Sequence, residues 1–277
     1  MNDSVYDNAL KFAREHYENF PVVSFLIRRD LQKHVAIIYW FARTADDIAD
    51  EGNLAAGDRM ARLNGFESSF RRLLQGKYDS GYDEALHLTL EKKKLNPEHF
   101  INLLKAFKQD VIKKEYADYK QLLDYCKNSA NPVGRLILEL HSIREEEAFR
   151  YSDNICTALQ ITNFLQDVNI DFQKGRIYLP QDELAKFGIS KIMFEEKEIN
   201  LKFKQLIEFN INRTQLLFDE GRKLLKFLQG RLKYEIKWTI LGGEAILQKI
   251  RNNDFNVFIR PELTKKDFIK LLIRSFK

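Results

Sequence analysis

The stretch NFLQDVNIDFQKGRIYLP, residues 163–180, restricts the fold more than any other part of the chain. On a helix, residues four apart share a face, so Asn163, Asp167 and Asp171 form a ladder with steps of about 6 Å. At about 100° per residue, Cys156 and Gln160 fall in the same sector of roughly 80°. Most other directions are apolar, occupied by Ile155, Leu159, Ile161, Phe164, Leu165, Val168 and Phe172. A helix apolar almost all round belongs in a core. Buried carboxylates are costly unless paired or bound to a metal, so the polar stripe points to a cation.

A second stretch, HVAIIYWFARTADDIADEG at residues 34–52, repeats the design. Tyr39, Arg43, Asp46 and Asp50 lie within about 60° of one another, with Asp47 beside them. Val35, Ile37, Ile38, Phe41, Ala42, Ala45, Ile48 and Ala49 cover the rest. Either stripe alone reads as a surface ion network, with Arg43 neutralising its neighbours. Two such stripes on helices otherwise fit for burial point instead to hard divalent cations. The donors are oxygens with no histidine or thiolate cluster, which suits Mg²⁺, or Mn²⁺. Asp46 and Asp50 on one wall, with Asp167 and Asp171 on the other, are expected to hold ions that bridge a diphosphate. Asp47 and Asn163 complete the candidate ligands. Such ions act as Lewis acids on a departing diphosphate.

The composition, 44% hydrophobic and 31% charged with a mean hydropathy of −0.41 over 277 residues, describes a soluble protein with a large core. No apolar run approaches the roughly 20 residues that span a bilayer. The acidic, amphipathic start is unlike a secretory signal. Cys126 and Cys156 give no disulfide framework, and a cytoplasmic location is expected. The net charge of +5 is dispersed and no nucleic-acid-binding signature is present, so nucleic acid is not an expected partner. The C-terminal third is richer in Lys and Arg, which reads as a solvated helix face or as a basic amphipathic contact with a membrane surface.

Only five prolines and twelve glycines punctuate the chain, and period-2 alternation is rare. Helices are expected near 5–16, 31–51, 57–76, 83–93, 98–113, 117–127, 132–149, 153–172, 193–229, 231–251 and 264–276. No linker, composition shift or fixed-period repeat marks a boundary. The expectation is one all-α domain over residues 1–277.

FARTADDIADEG and NFLQDVNIDFQKGRIYLP, with YCKNSANPVGRLIL between them, resemble the two aspartate motifs and central segment of the squalene/phytoene synthase family. The resemblance runs from HYENF to NDFNVFIRPELTKKDFIKLL. It implies an isoprenoid-synthase helical bundle around a central cavity. HYENFPVV and FLQDV are most similar to the family's hopanoid-pathway branch, where Gln166 stands in place of the Arg of most condensing relatives. That branch implies Mg²⁺-dependent conversion of presqualene diphosphate and water to hydroxysqualene, with no nicotinamide cofactor and a downstream squalene-forming oxidoreductase as a possible partner. The family pattern places Tyr39 and Arg43 with the catalytic aspartates. It places Phe20, in an Asn-Phe rather than Ser-Phe context, with Tyr125, Asn163, Arg176 and Tyr178 at the substrate. Arg176 can fork two hydrogen bonds to a diphosphate, or it can merely cap the preceding helix. Two other readings stand beside this one. A condensing enzyme would join two farnesyl diphosphates. A non-catalytic relative acting as an assembly factor would have eroded aspartates, and here both stripes are intact.

Overall fold

A computed structural model describes residues 2–15 and 27–276 of the chain. Among them the regular structure is helical, and the sole bridge is an isolated parallel pair, Glu115 with Ile177. In chain order the helices are α1 (Asn2–Glu15), α2 (Arg29–Asp50), α3 (Ala56–Leu73), α4 (Gly81–Lys93), α5 (Glu98–Ile112), α6 (Tyr119–Ser129) and α7 (Asn131–Leu140). They continue with α8 (Glu146–Gln166), α9 (Val168–Gln173), α10 (Gln181–Phe187), α11 (Lys191–Glu195), α12 (Leu201–Gly221), α13 (Gly230–Asn252) and α14 (Lys265–Ser275). A 3₁₀ turn, Arg222–Lys226, follows α12.

The helices pack as two compact units, Met1–Ile112 with Pro132–Phe149, and Lys113–Asn131 with Arg150–Lys277. In the first unit α2 is central, because α1, α3, α4 and α5 all pack against it. Its apolar circumference follows from that position. Phe41 meets Phe70 and Phe100, each at 5.1 Å between ring centroids, and Trp40 stacks on Tyr82 at 4.1 Å. In the second unit two glycines set how closely the helices approach. A Cβ on Gly221 of α12 would stand 2.6 Å from Ile155 Cγ1 and 3.0 Å from the Ile155 backbone nitrogen. One on Gly243 of α13 would meet Phe218 Cζ at 2.5 Å and Leu159 Cδ2 at 3.0 Å.

Two expected helices are interrupted for visible reasons, and one further helix is present. The helix expected over 132–149 is interrupted after Leu140, where Ser142 takes a left-handed conformation (φ +62) and the Ile143 amide donates back to the Leu138 carbonyl. The chain then re-enters a helix at Glu146, earlier than expected. The span expected as one helix over 193–229 is divided. Lys197 is left-handed (φ +53) after α11, and Asn200 caps α12 by accepting from the Phe203 amide. α10 was not anticipated. It is seven residues long and stops at Gly188, whose φ of +67 closes its C-terminus.

A buried polar chain ties α1, α2 and α4 together. Tyr6 Oη donates to the Ala85 carbonyl at 2.8 Å and lies 3.0 Å from Thr89 Oγ1, which lies 2.9 Å from His34 Nδ1. The arrangement closes if the Thr89 hydroxyl donates to Tyr6 and accepts from a neutral His34. Burial, reinforced by Lys93, Lys33 and Lys92, pushes the His34 imidazole down from 6.5 to about 4. The unfolded chain therefore binds the extra proton between those values, and stability falls as pH drops from about 6.5 to about 4. His34→Gln should flatten that part of the urea-unfolding profile, while the native chain loses up to about 3 kcal/mol across it.

Candidate active site

Each acidic ladder is described within its own unit. On α2, Tyr39, Arg43, Asp46, Asp47 and Asp50 are partly open, whereas Leu31, Val35, Ile38, Phe41, Ala45 and Ala49 are buried. Three aspartates in the last two turns oppose the helix dipole, which is itself negative at that end. Positive charge is brought in to compensate. Arg43 Nη1 lies 3.2 Å from Asp46, and its Nη2 lies 2.7 Å from Asp47 and 3.5 Å from Glu51. Arg59 of α3 clamps the helix end, donating from Nη1 to the carbonyls of Ile48 and Glu51 at 3.0 Å each and from Nη2 to that of Gly52 at 2.6 Å. The helical spacing anticipates Arg43's pairs with Asp46 and Asp47, and Glu51 is an unexpected third partner. Arg59 was not among the expected site residues, because its partners are backbone carbonyls that no side-chain pattern announces.

In the second unit, the helix expected over 153–172 breaks at Asp167, where φ is −107 and ψ is 15. The ladder survives the break. The Asp167 amide donates to Asn163 O at 2.9 Å and the Asp171 amide to Asp167 O at 2.8 Å. Asn163 is exposed, and Asp167 and Asp171 are half-buried. Gly175 (φ +72) then ends α9, its amide bonding to Phe172 O while the Arg176 amide bonds to Asp171 O. This is the glycine-terminated helix stop that satisfies the last carbonyls. Arg176 thus caps α9 through its backbone and still buries its side chain beside the ladder, since Asp171, Arg176 and Tyr178 line one narrow recess with Phe164, Val168 and Phe194.

The residues after Arg176 run extended beside the segment entering α6, with the Ile177 amide donating to Lys114 O and the Gln181 amide to Tyr116 O. This pairing carries Tyr178 onto Phe164, with ring centroids 3.8 Å apart and planes 6° from parallel, and within 6.1 Å of buried Tyr125. Asp167, Asp171, Tyr125, Arg176 and Tyr178 therefore belong to one neighbourhood of the second unit. Phe20 lies outside the described residues.

Gln166 is buried, unlike the ladder residues beside it. It is 2% exposed, and its Nε2 donates to the Pro261 carbonyl at 2.6 Å. This holds the loop before α14, from which Arg260 Nε reaches Asp167 Oδ1 at 2.5 Å. The Asp167 carboxylate raises the Arg260 pKa further. Arg260 stands so far along the chain from Asp167 that helical spacing gives no signal for the pair.

A family model described as squalene/phytoene synthase matches residues 13–267. The chain belongs to that family. It is 31% identical to the hydroxysqualene synthase of Sinorhizobium fredii over 87% of this chain and 82% of the relative. It is 36% identical to that of Zymomonas mobilis over 72% and 67% of the two chains. The crystal structure of squalene synthase HpnC from Alicyclobacillus acidocaldarius superposes with a TM-score of 0.87 at 37% identity, covering 92% of this chain and 95% of the other. The expected all-α isoprenoid-synthase fold and family membership are thereby established, and the family's members are isoprenoid synthases.

Among the described residues, no three His, Cys, Asp or Glu side chains form a ready-made metal cage. The donors on each ladder fit an ion that takes one or two carboxylates and completes its shell with phosphate and water. They are all oxygens, they are partly open, and their guanidinium partners form pairs of the weak, displaceable kind. Asp46→Asn, Asp50→Asn and Asp167→Asn should fold normally and lose about 10²–10³ in turnover, equivalent to roughly 3–4 kcal/mol of transition-state charge stabilisation. Glu51→Gln, whose carboxylate is 68% exposed, should stay within about twofold of wild type. Steady-state kinetics with thermal melts as the folding control checks both expectations, and near-wild-type rates in the three aspartate variants would leave the ladders as structural ion networks.

Proposed function

We propose that this chain is a hydroxysqualene synthase, converting presqualene diphosphate and water to hydroxysqualene and diphosphate. The observation that carries the reading is identity of 31% and 36% to relatives of that name, over 246 and 203 residues, with the aspartates of both motifs intact. In this reading Asp46, Asp47, Asp50, Asn163, Asp167 and Asp171 hold Mg²⁺, which when bound supplies Lewis-acid charge to the diphosphate. Arg176 and Tyr178 donate hydrogen bonds to the diphosphate oxygens, with Tyr125 beneath them. Arg43 and Arg260 set the charge around the carboxylates, with Tyr39 on the first acidic face. Phe20 completes the proposed substrate contacts.

The carbon–oxygen bond to diphosphate breaks with its electron pair on the leaving group. The carbocation rearranges, and a water oxygen adds to it and releases a proton. No redox cofactor enters that balance. The location proposed is cytoplasmic, with peripheral contact at a membrane because the product is a lipid. A separate oxidoreductase is then required to reduce the alcohol to a hydrocarbon.

In ¹⁸O-labelled water, with presqualene diphosphate, Mg²⁺ and no nicotinamide, the enzyme should release diphosphate and form a C30 alcohol that carries the label. Adding NADPH should leave the product unchanged. Squalene formed only with NADPH, or turnover of farnesyl diphosphate with none of the C30 substrate, would replace this reading by a reductive or a condensing one. EDTA should abolish turnover, and Mg²⁺ or Mn²⁺ should restore it where Zn²⁺ restores it poorly. Full activity in chelator, with no metal found by elemental analysis, would remove the metal from the proposal.

A further inference from the structure

The last helix carries a surface that neither ladder uses. α14 opens with a capping box, Thr264 with Asp267, and packs on α13 through buried Leu271 and Ser275, with Phe268 against Trp238. Its one acid is turned inward and neutralised, because Asp267 accepts from Thr264 and lies 3.0 Å from Lys249. The opposite face, by about 100° per residue, carries Lys266, Ile269, Lys270 and Ile273, with Phe276 and Arg274 at its edges. Ile269, Ile273 and Phe276 are 60%, 56% and 52% exposed. Phe276 packs on Tyr234 at 4.8 Å, beside exposed Arg231 and Lys233 at the start of α13.

A solvated face does not need isoleucines at its centre, and a face made only for an acidic protein does not need three open apolar side chains. Lysines flanking an apolar stripe, with no unpaired acid in the helix, match an anionic bilayer. The stripe enters the acyl boundary while the long cationic side chains reach the headgroups. No helix of the described residues is long and apolar enough to cross a membrane, so this contact lies in the interface plane. We infer that the outer face of α14 docks the protein on anionic lipid. The choice of a bilayer as occupant rests on the proposed function, whose product partitions into lipid.

The test is flotation of the full chain with vesicles of phosphatidylcholine containing 30% phosphatidylglycerol, without substrate, so that its outcome is separate from the product assay. The protein should float with these vesicles at low salt. It should remain behind with pure phosphatidylcholine and in 0.5 M NaCl, because the attraction is screened. Ile269→Glu with Ile273→Glu should weaken binding by at least about tenfold while turnover of detergent-dispersed substrate is unchanged. Should that variant not fold, Ile273→Trp reads the same contact, its emission shifting to the blue on anionic vesicles. Equal binding to neutral vesicles, binding that survives the double exchange, or no shift of the tryptophan would each overturn the inference. So would a concentration-dependent dimer in sedimentation velocity that the double exchange dissolves, since the face would then belong to a second copy.

Discussion

Three aspartates near the C-terminal end of α2 repel one another and repel the negative pole of their own helix. Their placement makes sense only if positive charge is near, and much of the surrounding structure supplies it. Arg43 spans Asp46, Asp47 and Glu51 on the same helix, and Arg59 takes up the final carbonyls from α3. On the second ladder Asp167 stands at the start of α9 and Asp171 in its first turn, where the dipole favours negative charge, and Arg260 pairs with Asp167 from far along the chain. None of these pairs is deeply buried on both sides, so each contributes little to stability and can be exchanged for a stronger cation at small cost. Carboxylates held by displaceable partners suit the metal–diphosphate site proposed for them.

The rest of each unit keeps its ladder straight while the other directions are filled. α2 is enclosed by four helices, and its apolar circumference is the consequence. α8 is approached so closely by α12 and α13 that only glycine fits at positions 221 and 243. In the proposed function rigid surroundings matter, because carboxylates that meet a metal and a phosphate together tolerate little misplacement. The interruption at Asp167 is the exception. It turns that carboxylate toward Arg260 while the four-residue backbone spacing to Asn163 and Asp171 is kept.

Gln166 connects sequence, fold and proposed chemistry. The family resemblance marks it as a departure from the Arg expected of condensing relatives, and it invites a reading in terms of substrate charge. In the fold it is a buried donor to the Pro261 carbonyl, and it holds the loop that delivers Arg260. The neighbours Gln166 and Asp167 thus contact the neighbouring residues Pro261 and Arg260 of one loop. Those two contacts give this chain's Gln-Asp motif a structural role.

The sequence alone determined the helical class, the two ladders and the family, because 3.6-residue periodicity and motif spacing are local properties. It also carried Arg43's pairing, which spans one turn. It did not carry the break at Asp167, the separate helix α10, or the stop after Leu140. The break at Asp167 and the stop after Leu140 each depend on a single non-glycine residue leaving helical backbone angles, and α10 is only seven residues long. Nor did it carry Arg59 on backbone carbonyls, Gln166 on Pro261, or Arg260 on Asp167. These contacts join separate elements, and no periodic pattern encodes which side chain a loop will present to a helix formed far away in the chain. The outer face of α14 lies between the two cases. Its basic, amphipathic character is legible in LTKKDFIKLLIRSFK, but only packing on α13 decided that Leu271 turns inward and Ile269 and Ile273 turn out.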